Sequence, residues 1–364
     1  MASLSSNSHQ AEKQRVLSQD RLPKSTREIE VIPAFRRRSS VSFDDGNLAI
    51  LAGQSYILVH RGFICRHSAY LAELAENLKS DSCIRLEGRP VLELKEPAED
   101  VSLLFHALYD GVTTLFQQST NLRIAFVLFR LSSTYHIEKL RSEALAFLKK
   151  GWPSSLGQWD RRERHVPRFD SDFARAMLLP HPIAVINLAR RFNAPELLPA
   201  ALYELSRYPP SLASAGLFDP HDGLHHVLTL RDLTCLLRGR ESASRFLSTF
   251  MVNELEGRKP SSACRKRSDD HPDRWRECQG AFDLVTFELL CDVNGVVIGR
   301  TSDPLFAMLE AVNMQAHLGD EGAWNLYRPC DVCRDEFAAT VHDAREHFWR
   351  KLPEWFGIDV PGWG

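Results

Sequence analysis

Eight cysteines lie along a chain of 364 residues, and four of them have a spacing that could do chemistry. Cys330-Asp331-Val332-Cys333 is a Cys-x2-Cys turn, tight enough to aim two thiolates at one ion. Cys264 and Cys278 have thirteen residues between them, and the polar stretch from Arg265 to Asp273 among these reads as a loop. Together, Cys264, Cys278, Cys330 and Cys333 would complete a tetrahedral site for one structural zinc ion. That ion would pin the loop to the helix following Cys333. A site closed by four thiolates keeps no corner for activating water, so its chemistry would be structural rather than catalytic. The same residues also read as unligated thiols, and His271 is an alternative ligand. Cys65, Cys83, Cys235 and Cys291 are isolated and read as small apolar side chains. The first twenty residues have no apolar core of a secretory signal, so a disulfide framework is not expected.

Other arrangements are weaker. A redox role for Cys330 and Cys333 would call for a parallel βαβ setting, which the surrounding pattern lacks. His342 and His347 lie five apart, about 140° around a helix, too divergent to share an ion. They also follow Cys333 by too few residues for a DNA-binding finger. His221, His225 and His226 fall beside Asp219-Pro220 and Gly223, a setting that reads as a solvated loop. His60 and His67 read as structural imidazoles bonding to backbone. The chain has no phosphate-binding Gly-rich loop, no nucleophile elbow and no His-Glu-x-x-His, so it is expected not to be an enzyme.

The elements that must position the cysteines follow from periodicity. Leu48 to Leu51, Tyr56 to Val59 and Val91 to Leu94 read as strands, the first preceded by an Asp44-Asp45-Gly46-Asn47 turn. Val101, Leu104, Phe105 and Leu108 make a helical stripe, begun near Pro97 and closed by Gly111. Two more stripes run from Leu122 to Phe129 and from Leu140 to Leu148. Strands come first and helices accumulate afterwards, which predicts an α+β fold, a small sheet with a helical cluster, followed by a mainly helical region. Gly151 to Ser155 breaks the last of these helices. Helical periodicity resumes over Ile183 to Ala189, Leu198 to Leu205 and Val227 to Leu237, the last ending before Arg238-Gly239-Arg240-Glu241. Phe337, Val341, Ala344 and Phe348 mark a final helix.

Charge divides the chain similarly. The total is −2, but residues 1–40 carry +4 and residues 264–364 carry −7. The expected organisation is a disordered basic tail (1–40), an α+β module (41–150), a linker with helical extension (151–263) and a helical cysteine-bearing module (264–364). Arg36-Arg37-Arg38-Ser39-Ser40 in the tail reads as a solvated basic cluster, with nuclear import or phosphorylation by a basophilic kinase as alternatives. No apolar run is long enough for a membrane helix, and no global basic field points to nucleic acid.

Within the α+β module, Val41 to Gly46, Val59-His60-Arg61, Arg66-His67-Ser68 and Asp100-Val101 to Tyr109-Asp110-Gly111 resemble the BTB/POZ domain of fungal proteins. The resemblance covers residues 41 to about 150, and a looser pattern continues to Trp349 to Gly357, similar to the C-terminal signature of the same group. Ala69 and Leu71 depart from it, standing where the family usually has proline and phenylalanine. The resemblance implies a cytoplasmic or nuclear protein-interaction protein that self-associates as a homodimer or docks as an adaptor, often to a cullin-type ubiquitin ligase scaffold. It assigns no cullin-contact residues. The alternatives are a BTB-containing transcription regulator and a metal-dependent enzyme using the C-terminal cysteines.

Overall fold

The computed structural model describes residues 37–79, 84–117, 121–165, 179–219, 223–267, 273–291, 303–316 and 328–364. Most of the basic tail, with Cys83, His221 and His271, lies outside them. The mixed helix-and-strand architecture agrees with the α+β expectation.

Strands β1 (Arg37–Arg38), β2 (Leu48–Ala52), β3 (Ser55–Val59), β4 (Arg85–Leu86) and β5 (Arg89–Leu94) form one sheet in the order β1-β3-β2-β5-β4. The β2–β3 hairpin is antiparallel, with Leu48 opposite Val59, and β5 joins β2 in parallel, with Ile50 opposite Leu92. Alternation gives the sheet two buried faces. Leu48, Ile50, Ile57 and Val59 face the main core, whereas Ala49, Leu51, Leu58 and Val91 form a small separate cluster. Arg37 and Arg38 are a correction to the tail boundary. Their backbone pairs in parallel with Ser55 and Tyr56, because the edge of β3 offers unpaired groups that an extended segment can satisfy. Gly46 does not use the positive φ that its turn predicts. A β-carbon there would lie 2.8 Å from the Val59 nitrogen, so it is the close approach of the two chains that calls for glycine.

Helices α1 (Arg61–His67), α2 (Ala69–Glu76), α3 (Ala98–Tyr109), α4 (Val112–Gln117), α5 (Leu122–Thr134) and α6 (Glu138–Gly151) cluster beside the sheet. Ser68 caps α2 by accepting from the Leu71 N–H. Val101, Leu104 and Phe105 are fully buried, as their spacing predicts. His60 does not bond through backbone acceptors. Its ring meets the Tyr109 hydroxyl at 3.2 Å and an Asp45 carboxylate oxygen at 3.2 Å.

The second half contains α7 (Leu156–His165), α8 (Pro182–Arg191), α9 (Leu198–Ser206), α10 (Pro210–Ala215), a short hairpin of β6 (Leu217–Asp219) and β7 (Leu224–His226), α11 (Leu230–Phe250), α12 (Arg276–Cys291), α13 (Pro304–Ala316) and α14 (Asp331–Phe356). His225 and His226 therefore sit on a strand rather than in an open loop. Helix α11 continues through Gly239, where the sequence predicts an end. The reason is packing: a β-carbon on Gly239 would lie 2.0 Å from the Phe356 ring, so glycine lets α14 close against α11. Helix α14 also contains Pro353, which cannot donate to the Trp349 carbonyl. The indole N–H of Trp363 donates to that carbonyl instead, at 2.8 Å.

One apolar core runs from Val41 to Ile358. Helix α14 lies against α9, α11 and α13, so residues 331–356 complete the core of the helical extension. The charged run Asp160-Arg161-Arg162-Glu163-Arg164 is part of helix α7, and its inner face is buried. Arg162 and Arg207 meet Glu163 and Glu204, and Arg207 also meets Asp303 at 3.0 Å. Both guanidinium groups lie over the Trp159 ring. Arg345 of α14 grips Asp160 with two bonds, at 3.0 and 2.6 Å. Among the described residues, no helix is long and apolar enough to cross a membrane.

Candidate metal centre

The sulfur atoms of Cys264, Cys278, Cys330 and Cys333 all lie within 4.8 Å of one another. The structure thus brings together every residue that the spacing nominates. Three separate stretches deliver them. Cys264 comes from the segment after α11, Cys278 from the first turn of α12, and Cys330 and Cys333 from the N-cap and first turn of α14. The Cys-x2-Cys spacing works because Cys330 is still extended (φ −64°, ψ 161°) while Cys333 is already helical, so both sulfurs turn to the same side. Two helix N-termini, of α12 and α14, therefore stand at the cluster. Their positive dipole ends favour thiolate.

Backbone donors reinforce that polarity. The Cys330 N–H donates to the Cys278 sulfur at 3.2 Å, and the Ser261 N–H donates to the Cys333 sulfur at 3.3 Å. The N–H groups of Cys333 and Arg265 donate to the Cys330 sulfur. Burial works in the opposite direction. Cys264, Cys278 and Cys333 are buried and Cys330 is partly exposed. Burial pushes the Cys278 thiol up to about 11, helped by its bond to Cys264, and burial also raises Cys333. At Cys330 burial is outweighed by the N–H donors of Cys333 and Arg265, and the thiol falls to about 7. Four crowded thiols cannot all ionise alone, since each thiolate disfavours the next. A bound cation is what would let them do so together.

The surrounding shell was not legible from spacing. Lys266 ties the loop down by reaching the Arg328 carbonyl at 2.7 Å and Glu277 at 2.8 Å. Arg265 meets Asp331 at 2.7 Å. Ser261 bonds Glu336, and Arg258 lies over both Phe282 and Phe337 while donating to Thr340. The basic run in the loop is the one available signal, since basic side chains would offset a cluster of thiolates.

Among the described residues this is the one group of histidine, cysteine or carboxylate side chains that could hold a metal ion. Cys65 and Cys235 stand apart from it as free thiols. His347 packs edge-on against Phe246 rather than toward the sulfurs. In comparisons with known proteins, no family model, curated protein or solved structure matches the chain.

Proposed function

We propose that the chain is a non-enzymatic protein-interaction protein, with a BTB/POZ-type module at residues 41–150 and a helical C-terminal region stapled by one structural zinc ion. The metal part of this reading is carried by the closed set of four sulfurs. A regular tetrahedron of sulfurs about 2.3 Å from its centre has edges of about 3.8 Å. The Cys264 sulfur lies 3.7 Å from that of Cys278 and 3.8 Å from that of Cys330, which supports a tetrahedral S4 site. Four protein donors leave no open position, and this favours a structural ion over a metal-dependent enzyme.

The interaction role rests on the resemblance and on the outline of the N-terminal half, a small sheet with a helical cluster. Its partners are a second copy of the chain or a cullin-type scaffold, in the cytoplasm or nucleus, with neither nucleic acid nor membrane involved. Elemental analysis of purified protein tests the metal: one zinc per chain is expected, and zinc well below stoichiometry would remove it. Light scattering tests the interaction module separately. Twice the monomer mass, held across micromolar dilution, is the expected result, and a strictly monomeric profile would remove self-association.

A further inference from the structure

We propose that Ser40 is a phosphorylation site for an arginine-directed serine kinase. Three serines follow the arginine cluster, at positions 39, 40 and 42, and sequence alone does not choose among them. The structure does. The Ser39 hydroxyl is bonded to that of Ser102 at 3.2 Å, and its N–H donates to the Tyr56 carbonyl. The Ser42 hydroxyl accepts from the Leu58 N–H at 2.9 Å. Ser40 is exposed in the turn between them, and its hydroxyl has no bonded partner among the described residues. Ser39 and Ser42 are engaged in holding the segment to β3; Ser40 is not.

Arg37 and Arg38 stand three and two residues before Ser40, where a kinase cleft lined with carboxylates recognises guanidinium groups. They lie at the sheet edge, where β1 is extended and paired with β3 on one side only. In the reaction the Ser40 oxygen forms a bond to the γ-phosphorus of a nucleoside triphosphate. The bond from that phosphorus to the bridging oxygen breaks, the diphosphate leaves, and the hydroxyl proton passes to a base on the kinase. The product carries a charge of about −1.5 to −2 two residues from Arg38, which at present pairs with Asp44. The phosphate competes with Asp44 for that guanidinium. This site is independent of the cysteine cluster and of self-association.

The test uses the full chain, magnesium ATP and the catalytic subunit of an arginine-directed serine kinase, read by intact mass and fragment mapping. One phosphoryl group on Ser40 is expected. Ser40→Ala, an exposed substitution that leaves the fold alone, lowers initial incorporation, whereas Ser39→Ala does not. Arg37→Ala raises the KM at least about tenfold through loss of a charge-assisted contact. Three results would overturn the proposal: phosphate on Ser39 or Ser42 with Ser40 unmodified, wild-type incorporation in Ser40→Ala, or no incorporation into the folded chain.

Discussion

The second half of the molecule joins its helices in two different ways. At one end, Arg162, Glu163, Glu204, Arg207 and Asp303 form a buried ionic cluster linking α7, α9 and the start of α13. At the other, four sulfurs link the segment after α11 to the first turns of α12 and α14. The ionic cluster carries both signs of charge, so the attraction that offsets desolvation is internal. Arg207 shows the balance: burial disfavours its charge, but Asp303, Glu204 and Glu163 hold it well above its ordinary value. The sulfur cluster has only one kind of group. As thiols it gains little, and as thiolates it repels itself. Two sites of similar burial thus do the same joining work, but the ionic cluster supplies its own counter-charges, whereas the sulfur cluster leaves that part to a cation it could hold.

The largest effect expected from this contrast is removal of the metal. Structural zinc contributes on the order of 10 kcal/mol of apparent binding free energy in small zinc modules at neutral pH. A strong chelator, or Cys333→Ser, should therefore unfold residues 258–291 and 328–340 selectively. Hydrogen exchange would show protection lost there and kept over 48–59. Uniform protection after chelation would break the contrast.

Next is the ionic cluster. Arg207→Met strands buried carboxylates and should cost about 3–5 kcal/mol, read as a lower urea midpoint. Chelator should not change that cost, because the two sites have no shared partner. A cost that disappears in the metal-free chain would show the clusters to be coupled.

Acid sharpens the comparison further. His181 caps α8 by accepting from the Ile183 N–H, which requires a neutral ring. Burial holds its imidazole down to about 4, although the Glu204 and Asp219 charges favour protonation. The folded value is depressed, so between about pH 6.5 and 4 the unfolded chain binds the extra proton. Stability therefore falls as pH falls through that window, by up to about 3 kcal/mol, and levels off below it. Urea titrations of the metal-free chain at pH 7 and 4.5 would measure this without proton-for-metal exchange. His181→Asn keeps an acceptor for the cap and should flatten the slope; an unchanged slope assigns it to other groups.

The smallest effect belongs to charge held in water. Arg245 and Glu241 pair on the exposed face of α11 at 2.9 Å. Arg245→Ala should shift stability by no more than about 0.5 kcal/mol. A larger loss would mean that exposure is a poor guide to the worth of an ion pair in this chain.

What was legible in the sequence follows the same division. The Cys-x2-Cys spacing is local, and the partner pair could be named because few other cysteines were grouped. The strands at 48–51, 56–59 and 91–94 and the helical stripes were legible because hydrophobic period reports a buried face directly. The ionic cluster was not. Asp160 to Arg164 is no more than a charged run in the sequence, and only the approach of Glu204, Arg207, Asp303 and Arg345 from far along the chain makes its inner face interior. Gly239 misled for a related reason: as a helix breaker it is a local signal, but its role is set by Phe356. Arg37 and Arg38 belong to a strand only because β3 has a free edge.

The cysteines also constrain the order in which the chain assembles. Cys278 and Cys330 are 52 positions apart in sequence, yet the backbone N–H of one bonds the sulfur of the other. Closing so long a loop precedes any reward from the contacts it makes. Cys264 and Cys278 come first along the chain, but all four sulfurs are brought together only after α14 has emerged and docked. An ion held by all four sulfurs would therefore be captured late, once α14 has docked.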